Sequence, residues 1–163
     1  MGGKLASQLT SQIRSNLEDT PRIGGVIPLN VIREQQDRTL PLKAWAPTTY
    51  NQLLSELDAD RTTTETALKQ REARLADIPD ENIEEKLELL NELTELAGPN
   101  TPTAETFQKQ SQALISRLDQ EAADAIAAEN YDEAQRLLEK VQEVRPDDTQ
   151  TAERLADVNT KVF

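Results

Sequence analysis

From Thr48 to Val162 the apolar residues recur at helical spacing, and the run is broken at Pro79-Asp80, Gly98-Pro99 and Arg145-Pro146. A spacing of three and four places such residues along one side of a helix, whereas a half-buried strand needs strict alternation. Tyr50, Leu54, Leu57, Arg61, Thr64, Leu68, Arg71, Leu75 and Ile78 form the first such seam. Arg61, Thr64 and Arg71 interrupt it, which suits packing against a neighbouring helix better than a long two-chain coiled coil. The pattern predicts an all-α body of about five helices with no sheet.

Local signals set the expected helix ends. Thr48, after Pro47, is placed to cap the first body helix. Pro79-Asp80 closes it with a turn so short that the next helix must return antiparallel. Glu81, Glu84 and Glu85 favour the positive end of that second helix, and Ile83, Leu87, Leu90, Leu93 and Ala97 form its apolar stripe. Gly98-Pro99 ends it. Thr101-Pro102 starts a third helix that runs to about Glu129, with Phe107, Leu114, Ile115, Leu118, Ala122, Ala125 and Ile126 inward. Two more helices are expected near residues 132–144 and 149–162.

The first 46 residues differ in character. Lys4, Arg14, Arg22, Arg33, Arg38 and Lys43 stand against Glu18, Asp19, Glu34 and Asp37, a net charge of +2, while the whole chain carries −12 and the remainder therefore −14. Residues 1–46 are accordingly expected to be an irregular N-terminal arm, and residues 47–163 an acidic helical body. Within the arm, Leu5, Leu9, Ile13 and Leu17 share one stripe of a short helix that Pro21 terminates. Residues 22–32 are β-branched but cut by Gly24-Gly25 and Pro28, so they are expected to lie extended on a surface, either folded back over the protein's own helical body or docked on another subunit. Residues 40–47, with the single Trp45 between Pro41 and Pro47, are expected to do the same.

Part of the body resembles a tetratricopeptide unit. Asn130-Tyr131-Asp132-Glu133-Ala134, then Leu138, Val141 and Pro146, match the second helix of that repeat and the proline that turns the chain after it. In the first helix of the unit Leu118 and Ala122 are acceptable in size, whereas Glu121 and Ala125 depart from the pattern. The resemblance covers residues 115–148. It implies a helical hairpin closely packed through the small Ala134, with residues 149–162 opening a following unit or capping this one. It also implies a protein-binding role.

Composition removes many chemistries. The chain has 163 residues with no His and no Cys, so it holds no imidazole base, thiol nucleophile, disulfide or zinc site of the usual ligands. Five glycines leave no phosphate-cradling loop. Asp58-Ala59-Asp60-Arg61-Thr62 has the oxygen spacing of a calcium loop but lacks its central glycine and carries Lys69 where the closing glutamate belongs. The glutamates at 81, 84, 85, 88, 92 and 95 read as a solvated helix face, because helical di-metal sites pair Glu with His. No catalytic, cofactor or metal residues are assigned, and an enzyme is not expected.

A net charge of −12 repels nucleic-acid backbones and permits a basic partner. The longest apolar run near the start, Val26-Ile27-Pro28-Leu29, is too short to span a membrane. Gly2 lacks the small hydroxyl residue four places on that myristoylation prefers, since Ala6 stands there. Missing cysteines fit the cytoplasm, and equally a periplasmic or extracellular segment or a virion. The expected role is a non-enzymatic structural or assembly component that meets other protein subunits, a second copy among the candidates, through Ile23, Val26, Ile27, Leu29 and Trp45. A tetratricopeptide-type peptide-binding adaptor or chaperone is the alternative.

Overall fold

A computed structural model describes residues 2–162, and every regular element among them is helical. The helices are α1 (Gly2–Asp19), α2 (Leu29–Arg38), α3 (Leu42–Trp45), α4 (Pro47–Asp77), α5 (Ile83–Ala97), α6 (Pro102–Ala127), α7 (Tyr131–Val144) and α8 (Thr149–Val162). The all-α reading holds, and the five body helices are α4 to α8.

Two stretches of the arm correct the expectation of extended chain. Residues 29–38 and 42–45 are helical. The prolines were the misleading signal. Pro28 precedes α2 and its carbonyl accepts from the N–H groups of Val31 and Ile32, Pro41 precedes α3, and Pro47 is the first residue of α4. A proline at a helix start lacks only an N–H that would be unpaired there anyway, so it opens helices as readily as it ends them. Thr48 consequently lies inside the first turn of α4 rather than capping it.

The remaining ends follow local chemistry. Gly98 ends α5 at φ +94°, and Thr101 caps α6 by accepting from the Ala104 N–H at 3.2 Å. α6 stops at Ala127, short of the expected Glu129. There Glu129 takes a positive φ and the Asn130 N–H reaches back to the Ala125 carbonyl at 2.8 Å, a left-handed closure. Asp148 caps α8, accepting from the Gln150 N–H and from both donors of Thr151. Those bonds to the ionised form, the Thr151 hydroxyl first, hold the Asp148 carboxyl below its ordinary value.

Packing runs in chain order. α4 packs on α5, α5 on α6, α6 on α7 and α7 on α8, while α1, α2 and α3 gather around the first half of α4. The interior is a row of overlapping clusters rather than one centre. Ile13, Leu42 and Leu53 lie under α1, and Ile27, Ile32 and Leu57 lie under α2. Leu68, Ile78, Leu89, Leu90, Leu93, Leu96 and Phe107 join α4, α5 and α6. Leu118, Ala122, Ala134, Leu138, Val141 and Val158 join α6, α7 and α8.

This repeat-like arrangement is consistent with the tetratricopeptide expectation for residues 115–148. The second half of α6 and all of α7 fill one period of about 34 residues, and α8 follows. Ala122, Ala134, Leu138 and Val141 are fully buried there, Tyr131 is half-buried and Pro146 is exposed in the turn. With no space beside Ala134, Ala134→Arg forces a charge and a long side chain into the α6–α7 contact. The expected cost is roughly 3 kcal/mol or more, a fall of about 6–12 °C in melting temperature. A calorimetric melt within a degree or two of the parent would show that the two helices do not pack through Ala134.

Candidate functional site

Residues 21–28 form a strap that crosses α4, and polar residues of the α4 seam hold its backbone. Ile23 and Val26 exchange backbone hydrogen bonds at 2.9 and 3.2 Å, which folds Gly24-Gly25 into a tight turn. Both glycines have positive φ, +57° and +87°, the combination a type I′ turn requires. The Thr64 hydroxyl, fully buried, donates to the Ile27 carbonyl at 2.7 Å. The Arg71 guanidinium donates to the Gly24 carbonyl at 2.9 Å and pairs through Nε with Glu92 of α5 at 2.5 Å. One side chain thus ties strap, α4 and α5 together. A Cβ on Gly24 would run into Arg71 Nη2 and Glu92 Oε1, so the close approach depends on glycine. At the start of the strap Arg22 faces Asp60. Partial burial pushes that carboxyl up from its ordinary value, and the Arg22 charge draws it back.

Thr64 and Arg71 were legible as polar residues on an apolar stripe, but their partners were not. Gln35 of α2, which the sequence did not single out, is nearly fully buried and accepts from the Asn16 side chain of α1 at 3.2 Å. Thr64 and Arg71 bind the arm to the body, and Gln35 binds α2 to α1 within the arm.

The five residues read from the sequence as one partner-binding surface are separated. Ile23, Val26 and Leu29 are half-buried against the α4–α5–α6 cluster, and Ile27, 3% exposed, packs with Ile32 and Leu57. Trp45 is 45% exposed at the end of α3. Leu40 and Leu5 are also exposed, at 59% and 45%. Leu5 and Trp45 adjoin Ala6 and Ala46, which both belong to the cluster under α1.

A second feature lies on the body. α5, α6 and α7 enclose a groove of about 640 Å³. Glu84, Leu87, Glu88, Asn91 and Thr94 line it from α5, Gln108, Ser111 and Gln112 from α6, and Lys140, Glu143 and Val144 from α7. Each set repeats at three and four residues, so each is one face of its helix. Lys140 bridges to Glu84 at 3.6 Å across the groove. The acidic run of α5 is divided by this arrangement. Glu84 and Glu88 face the groove, while Glu92 turns to Arg71 and Glu85 to Arg74.

Among the described residues no helix is long and apolar enough to cross a membrane. No protein-family model matches the chain, and no curated protein or solved structure matches it.

Two measurements check the strap. Thr64→Val keeps shape and leaves the buried Ile27 carbonyl unbonded, an expected loss of about 1–3 kcal/mol in urea unfolding, whereas Thr64→Ser should retain most of the stability. Equal behaviour of the two variants would remove the hydrogen bond from the account. Deleting residues 1–46 should uncover Leu57, Leu68 and the α4–α5 cluster and lower the melting temperature sharply or cause aggregation. An unchanged melt would mean that the arm contributes nothing to the core.

Proposed function

We propose that the protein is a non-enzymatic structural or assembly component that binds other protein subunits through its N-terminal region. The observation that carries this reading is where the large apolar side chains reach solvent. Among the described residues they are Leu5, Leu40, Trp45 and Val144, and all but the last lie in the first 46 residues. Isolated exposed leucines are ordinary, but a tryptophan held in water beside an apolar cluster is a common anchor of protein interfaces. Lys4 and Lys43 are exposed next to Leu5 and near Trp45 along the chain, and supply a basic rim to that part of an acidic protein.

The docking surface in this reading is narrower than the sequence suggested. Ile23, Val26, Ile27 and Leu29 serve the chain's own core, and Trp45 with Leu40 and Leu5 is left to meet a partner. Repeat-like helix stacks support such a role, because each added helix extends surface faster than interior. A second reading, a peptide-binding adaptor of tetratricopeptide type, is favoured by the groove between α5, α6 and α7.

Trp45 is the single tryptophan, so its fluorescence reports on this face alone. The chain and its Trp45→Ala/Leu40→Ser variant, used as baits in one cell extract, should differ by a stoichiometric subunit that only the parent retains. Added back in pure form, that subunit should shift Trp45 emission to the blue. Retention of the same subunit by both baits, with no spectral shift, would remove the N-terminal region as the docking surface.

A further inference from the structure

We propose that the groove between α5, α6 and α7 binds an extended, basic peptide segment of a partner protein. The inference rests on the adaptor reading and assigns it a ligand class.

The shape sets the length. From Glu84 to Thr94 the lining stripe of α5 runs about 15 Å, room for about five residues of extended chain. The floor is formed by α6 through Gln108, Ser111 and Gln112, and the opposite wall by the last turn and a half of α7.

The polar lining selects an extended backbone over a helix. Among the described residues, Asn91, Gln108, Ser111 and Gln112 make no side-chain hydrogen bond within the chain, and Asn91, Gln108 and Gln112 are exposed. Their amides and hydroxyl offer donors and acceptors along one trough. A helix has satisfied its own N–H and C=O groups and leaves such a lining unused. An extended segment brings free ones at every residue.

Charge selects the side chains. The groove carries Glu84, Glu88 and Glu143 against Lys140. Lys140 is committed to Glu84, and among the described residues no cation stands within 4.0 Å of Glu88 or Glu143. These two carboxylates sit on opposite walls, on α5 and α7, so a chain lying between them meets negative charge from both sides. An acidic segment would be repelled by both walls. A Lys or Arg on either side of the bound backbone reaches one of them, and steering by the surrounding body of net −14 speeds the encounter. Leu87, almost fully buried at the base, and Val144, 42% exposed at the rim, give one aliphatic side chain of the segment an apolar contact.

The test uses the full chain and fluorescein-labelled peptides of about eight residues in fluorescence anisotropy at physiological ionic strength. One peptide contains Lys, Leu and Gly, a second has Gln for every Lys, and a third has Glu. The basic peptide should bind, the Gln peptide at least about tenfold more weakly, and the Glu peptide not at all. Glu88→Lys/Glu143→Lys should weaken the basic peptide at least about tenfold, and Glu88→Gln/Glu143→Gln by a smaller factor. Glu65→Lys/Glu153→Lys changes the net charge equally, away from the groove, and should leave binding within about twofold. All these positions are exposed, and circular dichroism melts confirm that each variant folds. Equal loss in the Glu65/Glu153 control would mean attraction to the acidic surface at large and would overturn the groove. Equal binding of the Gln and Lys peptides, lost on Asn91→Ala/Gln112→Ala, would overturn the basic class and leave the adaptor reading standing. If no peptide binds, both fall.

Discussion

The Thr64 hydroxyl and the Arg71 guanidinium grip a piece of backbone that has no regular partner of its own. The strap runs over apolar residues of α4, where its carbonyl at Ile27 has lost water, while that at Gly24 stays at the surface. A buried carbonyl without a donor costs about 1–3 kcal/mol, more than most single apolar contacts return. The Thr64 hydroxyl removes that penalty at Ile27, and the Arg71 guanidinium ties the exposed Gly24 carbonyl to the α4 seam. Once the strap is seated, Ile27 can reach Ile32 and Leu57, and Ile23, Val26 and Leu29 can cover the α4–α5 cluster. The position of α2, and through it of α1, follows from this contact.

Beyond the strap the molecule is held by succession. Each cluster shares residues with the next. Leu17 packs against both clusters of the arm, Leu29 against the arm and the α4–α5–α6 cluster, and Leu114 against that cluster and the α6–α7–α8 cluster. Such a row transmits stability between neighbours more than across the whole, as in linear repeat arrays. α8 is held chiefly by α7, and local opening should begin there rather than in α5, which packs on α2, α4 and α6.

Two surfaces of opposite character result. The α1–α3 end shows apolar side chains and lysines, and the α5–α7 groove shows carboxylates and amides with Leu87 and Val144 as its apolar residues. Separation of charge along the chain is what allows both in a protein of net −12. Self-repulsion between acidic bodies opposes random association, and each surface is left to a partner whose chemistry complements it.

Helix content, the α4–α5 turn, the caps at Gly98 and Thr101 and the inward faces of α5 to α7 were legible because they depend on residues within a turn or two of one another. Ala134, Leu138 and Val141 were singled out by the resemblance to a tetratricopeptide unit, and they are buried where a helical hairpin needs them. The arm was misread where proline has two meanings. Pro28 and Pro41 break a helix only when something precedes them, and whether the chain after them coils depends on Ile32 and Leu42 finding a core to enter. Glu88 and Glu143 were visible as charges, but nothing across their separation of 55 positions indicates that they line one groove. The sequence by itself determined which segments are helical in the body and which faces turn inward, since local periodicity and capping are short-range. Only the tertiary structure decided that the strap lies on Thr64 and Arg71, that Ile27 is buried with Ile23, Val26 and Leu29 half-buried beside it, and that α5, α6 and α7 line a groove. Those outcomes rest on contacts between residues far apart in the chain, whose partners are selected by packing and by the need to pair every buried polar group.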